Sequence, residues 1–459
     1  MIRFGLEGYS RLFSAYTELR AQENRNISVV FVKGNNTTNA RAAISGVSAR
    51  VYEGGSWGFA SNPDLTEDAV KSVISAATDN AAFLDSREQK GKPALPSKPA
   101  TSHNDFTTKK SKLTQKQLVE YVKEVDSHIA GTYPKLASRT VALNSLEMEK
   151  TLITSDGSSS HSMIPRALVI VIMSIEKDGR PVDLYKVYGG LGQLEDVLGS
   201  PASLDDQLQE QYQHLVRKSE GVFADAGVRT CVLDADLAGI LAHEAIGHTI
   251  EADMVIGGSV AGGWIGKEVA SPLVSLVDFA NSYDGAPCPV PVYIDDEGAK
   301  ADDAVVIDSG ILKTFLHSKE SANHFGVTPT GNARAYQFSD EPLIRMRNTA
   351  FLPGTSKLQD MIASVDDGYY LVRSSNGQAD STSEFMFGIT LGYEIKNGKL
   401  GKAIRDTTIS GVAFDMLKTV TMVSDDMKWS CGGMCGKKQA IPVGMGGPAI
   451  KCKVNVGGR

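Results

Sequence analysis

A chain of 459 residues is longer than a typical domain of about 100–200 residues, which excludes a single small module and predicts two or three cores. Its 42% apolar and 22% charged side chains exclude intrinsic disorder. The 47 basic and 54 acidic side chains leave a formal charge of −7 with no basic stripe, and the longest apolar run, Ala167 to Met173, is far short of the roughly 20 residues a membrane helix needs, so neither nucleic acid nor a membrane is an expected partner.

In chain order, a short helical segment is predicted over Ser10 to Ala21, followed by a strand over Ile27 to Lys33. Ala42 to Phe59 predicts a hairpin turning at Gly54-Gly55, and Thr66 caps a helix that lines up Val70, Val73, Ile74 and Ala77. Pro93, Pro96 and Pro99, set among Lys, Ser and Thr, mark a solvated connector over 86–112. Thr114 and Gln117 have capping-box spacing ahead of a helix with Leu118, Val122, Val125 and Ile129 on one face. Strands are predicted at Arg139 to Ala142, Glu147 to Thr154, Ala167 to Ile175 and Asp183 to Tyr188, then an amphipathic segment from Ser203 to Ala226.

Beyond Val228 the pattern is β-rich: Val290 to Ile294, Val305 to Ile307, Thr314 to His317, Tyr369 to Arg373, Glu384 to Ile395 and Ile450 to Val456 all look extended, with one helix among them. The expected fold is α+β. Two N-terminal α/β subdomains, residues 1–85 and 113–227, are joined by the connector at 86–112 and followed by a largely antiparallel β domain over 228–459 that carries one helix. MIRFGLEGYS lacks the apolar core of a secretory leader and five cysteines form no dense framework, so the expected compartment is the reducing cytoplasm.

That one helix carries the chemistry. DLAGILAHEAIGHTIEADM places His243, Glu244 and His248 within six residues, two imidazoles flanking a carboxylate as in hydrolytic zinc sites. Five-residue spacing sets the histidines roughly 140° apart on a straight α-helix, where they cannot meet one ion. A π-bulge eased by Gly247 brings them together; a straight helix instead gathers Glu244, His248 and Glu251 on one face, making Glu244 a ligand. A third ligand is needed, and His317, His324, Cys431 and Cys435 are the candidates, with one cysteine of the SCGGMCGKK loop preferred. The Gly257 to Gly266 tract either lines a cleft or makes tight turns.

HEAIGHTIEAD resembles the HExxxH core of the TldD/PmbA family of metallopeptidases, in its TldD-like branch. GVSARVYEGGSWGFAS at 46–61, DDEG at 295–298, GILKTFLH at 310–317, TGNAR at 330–334, PLIRMRN at 342–348, NGQAD at 376–380, TISG at 408–411 and CGKKQAIPVGMGGPAIKCKV from Cys435 resemble further blocks of that family in the same order. The resemblance implies a zinc-dependent peptidase acting on unfolded peptides or short polypeptides, with one zinc on His243, His248 and Cys435 and Glu244 as catalytic base. It also implies a dimer, either of two such chains or with a PmbA-like chain that lacks the metal motif. The competing expectation is a non-catalytic scaffold or regulatory subunit of a peptidase complex.

Overall fold

Leu19 and Ala21 alternate with Glu18, Arg20 and Gln22, the period of a strand, and all five side chains are buried. Polar residues buried on one face and apolar residues on the other require a sheet covered on both sides. The computed structural model, which describes residues 5–91 and 94–457, has this arrangement. Pro93 of the connector and residues 1–4 of the leader reading lie outside the described residues. The helix expected over Ser10 to Ala21 is replaced by a 3-10 turn, Glu7–Leu12, and strand β1, Tyr16–Val32. The polar residues look solvated in the sequence but face the second half of the chain.

β2, Asn35–Glu53, and β3, Ser56–Asn62, extend β1 and turn at Gly54-Gly55. Helix α1, Glu67–Glu88, is capped by Thr66, whose hydroxyl accepts from Ala69 N. β4, Thr101–Asp105, precedes α2, Gln115–Thr132, which opens with the Thr114–Gln117 capping box. β5, Ser138–Thr154, merges the two strands expected there; β6, Ser159–Lys177, and β7, Arg180–Leu191, follow. The sheet order is β3-β2-β1-β5-β6-β4, with β7 also on β6. Because β1 pairs with β5 from Glu18↔Thr154 to Val32↔Thr140, the strands on either side of the connector share one sheet. α1 and α2 cover its apolar face, α1 over Leu19, Val47 and Val51 and α2 over Val29, Val141 and Val171.

The polar face docks on the C-terminal half through a largely buried seam of charge and amide. Arg50 meets Glu297 at 2.8 Å, Lys150 meets Asp296 at 2.6 Å, and Lys319 meets Asp156 at 2.7 Å. Gln22 and Asn24 both donate to the carbonyl of Tyr336, each at 2.6 Å. Burial pushes the Glu18 carboxyl up to about 7, against the pull of Arg50. The acidic DDEG block is therefore part of the fold's joint.

The C-terminal half holds two larger sheets, mostly antiparallel. One runs Asp367–Ala379, Gly227–Leu233, Ile450–Val456, Thr407–Val412, Glu384–Lys396, Lys399–Ile404; the other runs Ile311–Leu312, Ala304–Asp308, Leu276–Phe279, Asn348–Phe351, Gly444–Gly447, Lys428–Ser430. Two pairs are parallel: 367–379 with 227–233, and 348–351 with 444–447. The strand expected at Val290 to Ile294 does not form, since Pro291 removes a ladder donor. At Thr314 to His317 only Leu316 makes a bridge, to Glu251. Instead of one helix there are several, including Lys319–Phe325, Leu358–Ala363 and Ala413–Lys418. Among the described residues no helix is long and apolar enough to cross a membrane.

Candidate metal centre

The helix that carries the HExxxH string starts at Ala235, with Asp234 as N-cap, and lies between the two C-terminal sheets, touching strands 444–447 and 367–379. Contact on so many sides explains why Leu237, Ala238, Leu241, Ala242, Ala245 and Ile246 are all apolar and buried. At Gly239 a Cβ would come within 2.8 Å of the Gly446 nitrogen, so the close seating of helix on strand depends on glycine.

The chain is α-helical from Ala235 to Leu241 and π-helical from Ala242 to Gly247. The wider turn brings residue i+5 back beneath residue i, and the His243 and His248 rings meet edge to face with centroids 5.2 Å apart. Gly247 has a second function beyond easing the distortion. A Cβ there would stand 1.8 Å from Met346 Sδ, and Met346 is itself fully buried.

The third donor arrives from the C-terminal loop. Cys435 Sγ lies 3.5 Å from His248 Nε2, and one donor atom each from His243, His248 and Cys435 fall within 4.8 Å of one another. Donors around a single tetrahedral ion with bonds of about 2.0–2.3 Å stand about 3.3–3.8 Å apart, which these side chains reach by small rotations. The loop is pinned in place. Arg345, fully buried, donates to the carbonyls of Cys435, Lys437 and Gln439 at 2.7, 2.6 and 2.9 Å. Next to it Met346 abuts Gly247, and Arg347 pairs with Asp278 at 2.8 Å. One short segment, 345–347, thus braces both the π-turn and the cysteine loop.

Electrostatics prepares the donors. Burial alone raises a thiol's pKa, but the neighbouring His243 and His248 outweigh it and bring Cys435 down to about 3. Burial alone would keep His248 neutral, yet Cys435 and Glu251 push it up to about 10. The metal-free site is therefore a thiolate beside an imidazolium at neutral pH. His243 is 1% exposed, and although its imidazole helps to lower the Cys435 thiol, neither ring nitrogen makes a hydrogen bond of ordinary length and angle. An orphaned buried imidazole is costly unless something binds it, and a cation among these three donors is suited to do so.

Glu244 falls outside the three-residue donor group, although it stands close to one of its members. Its side chain is 24% exposed, its Oε2 is 3.7 Å from His248 Nε2, and it lines an open cleft of about 690 Å³. The helix with Asp236, Ile240 and Glu244 forms one wall of that cleft, and β7 from Tyr185 to Gly189 forms another. Glu251, which a straight helix would place beside Glu244, instead accepts from His248 Nδ1 on the far side of the ring at 2.9 Å.

The remaining candidates lie elsewhere. His317 is buried near Phe315 and Phe325, its imidazole pushed down to about 4 by burial, and His324 is exposed. Cys431 donates its thiol to Gly189 O at 2.9 Å. The Gly257 to Gly266 tract makes turns around a 3-10 segment, Val260–Gly263, and contributes nothing to the cleft lining. The sequence places Glu251 only as a face-mate of Glu244 on a straight helix, and Arg345, Met346 and Lys437 only within longer resembling blocks; the supporting role of each comes from its contacts.

Two family models and several sequence relatives place the chain in one family. Residues 226–458 match the PmbA/TldA metallopeptidase C-terminal domain, and residues 17–81 match the PmbA/TldA metallopeptidase domain 1. A metalloprotease TldD homolog of Buchnera aphidicola is 31% identical over 90% of this chain and 86% of its own length. A zinc metalloprotease TldD homolog of Saccharolobus solfataricus is 30% identical over 90% of each chain. The crystal structure of TldE from Thermococcus kodakarensis superposes with a TM-score of 0.77 over 99% of both chains at 16% identity, which shows a shared fold.

Proposed function

The chain belongs to the PmbA/TldD metallopeptidase family, and we propose that it is a zinc-dependent peptidase acting on unfolded peptides or short polypeptides, with His243, His248 and Cys435 as zinc ligands and Glu244 as general base. The observation that carries this reading is the convergence of two imidazoles and one thiol, His243 and Cys435 buried and His248 half-buried, next to a glutamate that lines an open cleft. Two nitrogens and a sulfur suit zinc, and three protein ligands leave a fourth position for chemistry, one ion per chain. Bound there, zinc supplies Lewis acidity that polarises the scissile carbonyl and eases loss of a proton from the attacking water. Glu244 takes that proton on its carboxylate and delivers it to the leaving amine, and His243, His248 and Cys435 stay fixed throughout.

Preference for disordered substrates follows from the cleft wall. Among the described residues β7 pairs as a strand with β6 alone, and its segment 185–189 lines the cleft, where the backbone between the Tyr185 carbonyl, taken by Arg373, and the Gly189 carbonyl, taken by the Cys431 thiol, can accept an extended chain. An unfolded chain offers such segments along its whole length, whereas a folded protein keeps most of its backbone groups paired. A dimer, either homodimeric or with a PmbA-like chain, is part of the same reading and rests on family membership and on the fold shared with TldE.

Removing the metal tests the proposal. Chelated protein is expected to cleave an unstructured peptide at least about a hundredfold more slowly, since the ion supplies several kcal/mol of transition-state stabilisation, and one equivalent of zinc restores the rate. Because Cys435 and Glu251 hold the His248 imidazole up in its protonated form, zinc uptake at neutral pH is expected to release a proton, and zinc affinity to rise with pH, as competition with a chelator at several pH values would show. Undiminished cleavage by metal-free protein would leave the scaffold reading in its place.

A further inference from the structure

Glu251 is fully buried, yet only one of its oxygens has partners: Oε2 lies 2.9 Å from His248 Nδ1 and 3.2 Å from Lys437 Nζ, while Oε1 has none. Such a carboxylate is a poor device for stability, since a buried ion pair is often matched or bettered by apolar side chains of the same size. Its geometry suits another task. By accepting the Nδ1 proton of His248 it fixes the ring's tautomer and orientation, leaving Nε2, the nitrogen 3.5 Å from Cys435 Sγ, as the one aimed at the cluster.

Lys437 closes the arrangement. It lies two residues beyond Cys435 in the loop that Arg345 pins, and it reaches back to the ligand helix, where it binds Glu251 and both oxygens of Asp253, at 2.9 and 2.7 Å. It also donates to Ile344 O at 3.1 Å, next to Arg345. The side chain that orients the histidine is thus tied to the loop that delivers the thiolate.

We propose that Glu251 and Lys437 form a positioning pair for the metal site: Glu251 sets the Nδ1-protonated tautomer of His248, and Lys437 holds Glu251 to the cysteine loop so that imidazole and thiolate keep their mutual geometry. The proposal rests on the metal-site reading above and extends it to residues that touch neither the ion nor the substrate. It predicts an effect on metal affinity that a merely space-filling role would not produce.

The test measures zinc affinity by competition with a chromophoric chelator in the full chain, alongside thermal unfolding of the metal-free variants. Glu251→Leu, which keeps volume but removes the acceptor, is expected to weaken zinc by about 10–100-fold, and Lys437→Met by about tenfold. Glu251→Gln, which retains an acceptor oxygen, should recover part of the loss. Nitrogen-15 spectra of histidine-labelled, zinc-loaded wild type should show the His248 proton on Nδ1, a measurement that needs no variant to fold. Zinc affinity in Glu251→Leu within about threefold of wild type, or a His248 proton on Nε2, overturns the proposal. None of these readings involves peptide hydrolysis, so the positioning pair and the peptidase reading can fail separately.

Discussion

Replacing Glu244 by glutamine is expected to leave zinc bound and to slow cleavage of an unstructured peptide by about 10²–10⁴-fold, the usual contribution of a general acid–base group. The substitution keeps the side chain's length and its place in the cleft wall and removes only the proton acceptor. Glu244 stands outside the donor cluster, so metal content should hold at wild-type stoichiometry. The loss should fall on kcat, with KM little changed, because the carboxylate acts on the transferring proton rather than on ground-state binding. Cleavage at the wild-type rate would remove Glu244 from the mechanism; loss of zinc along with activity would make it a ligand, as a straight helix would have had it.

The second large effect separates the two cysteines. Cys435→Ser is expected to weaken zinc by more than about a hundredfold, since altering a residue that only supports a ligand already costs 10–100-fold. Serine matches cysteine in shape, but its hydroxyl does not ionise, whereas the thiol of Cys435 is held down to about 3 by the two histidines. Cys431→Ser should keep full occupancy. Its sulfur donates to Gly189 O, and burial raises its pKa, so it remains a thiol. Equal zinc content in the two variants would contradict the assignment.

The site's first residues were legible because their spacing posed a geometric problem with few solutions. Two histidines five apart around a glutamate require either a distorted helix or a different ligand set, and Gly247 marks where the distortion falls. The third donor was narrowed to a Gly-rich loop by chemistry, and to Cys435 by resemblance. The supporting residues were not legible, since nothing in PLIRMRN says that Arg345 holds one ligand loop while Met346 excludes a side chain at position 247.

The fold follows the same division. Capping at Thr66 and Thr114 and the alternation from Ile450 to Val456 depend on neighbours along the chain, and these elements form where expected. The nature of β1 depends on residues 312 to 320 positions away: Arg20, Gln22 and Asn24 are buried because the carbonyls of Tyr336 and Asp340 receive them. Sequence periodicity cannot distinguish a polar face that meets water from one that meets another sheet.

X-ray absorption at the zinc edge of the zinc-loaded protein tests most directly whether His243, His248 and Cys435 hold one ion. The account predicts a first shell with two imidazole nitrogens at about 2.0–2.1 Å and one sulfur at about 2.3 Å. A shell of nitrogen and oxygen alone, with no sulfur contribution, would contradict it.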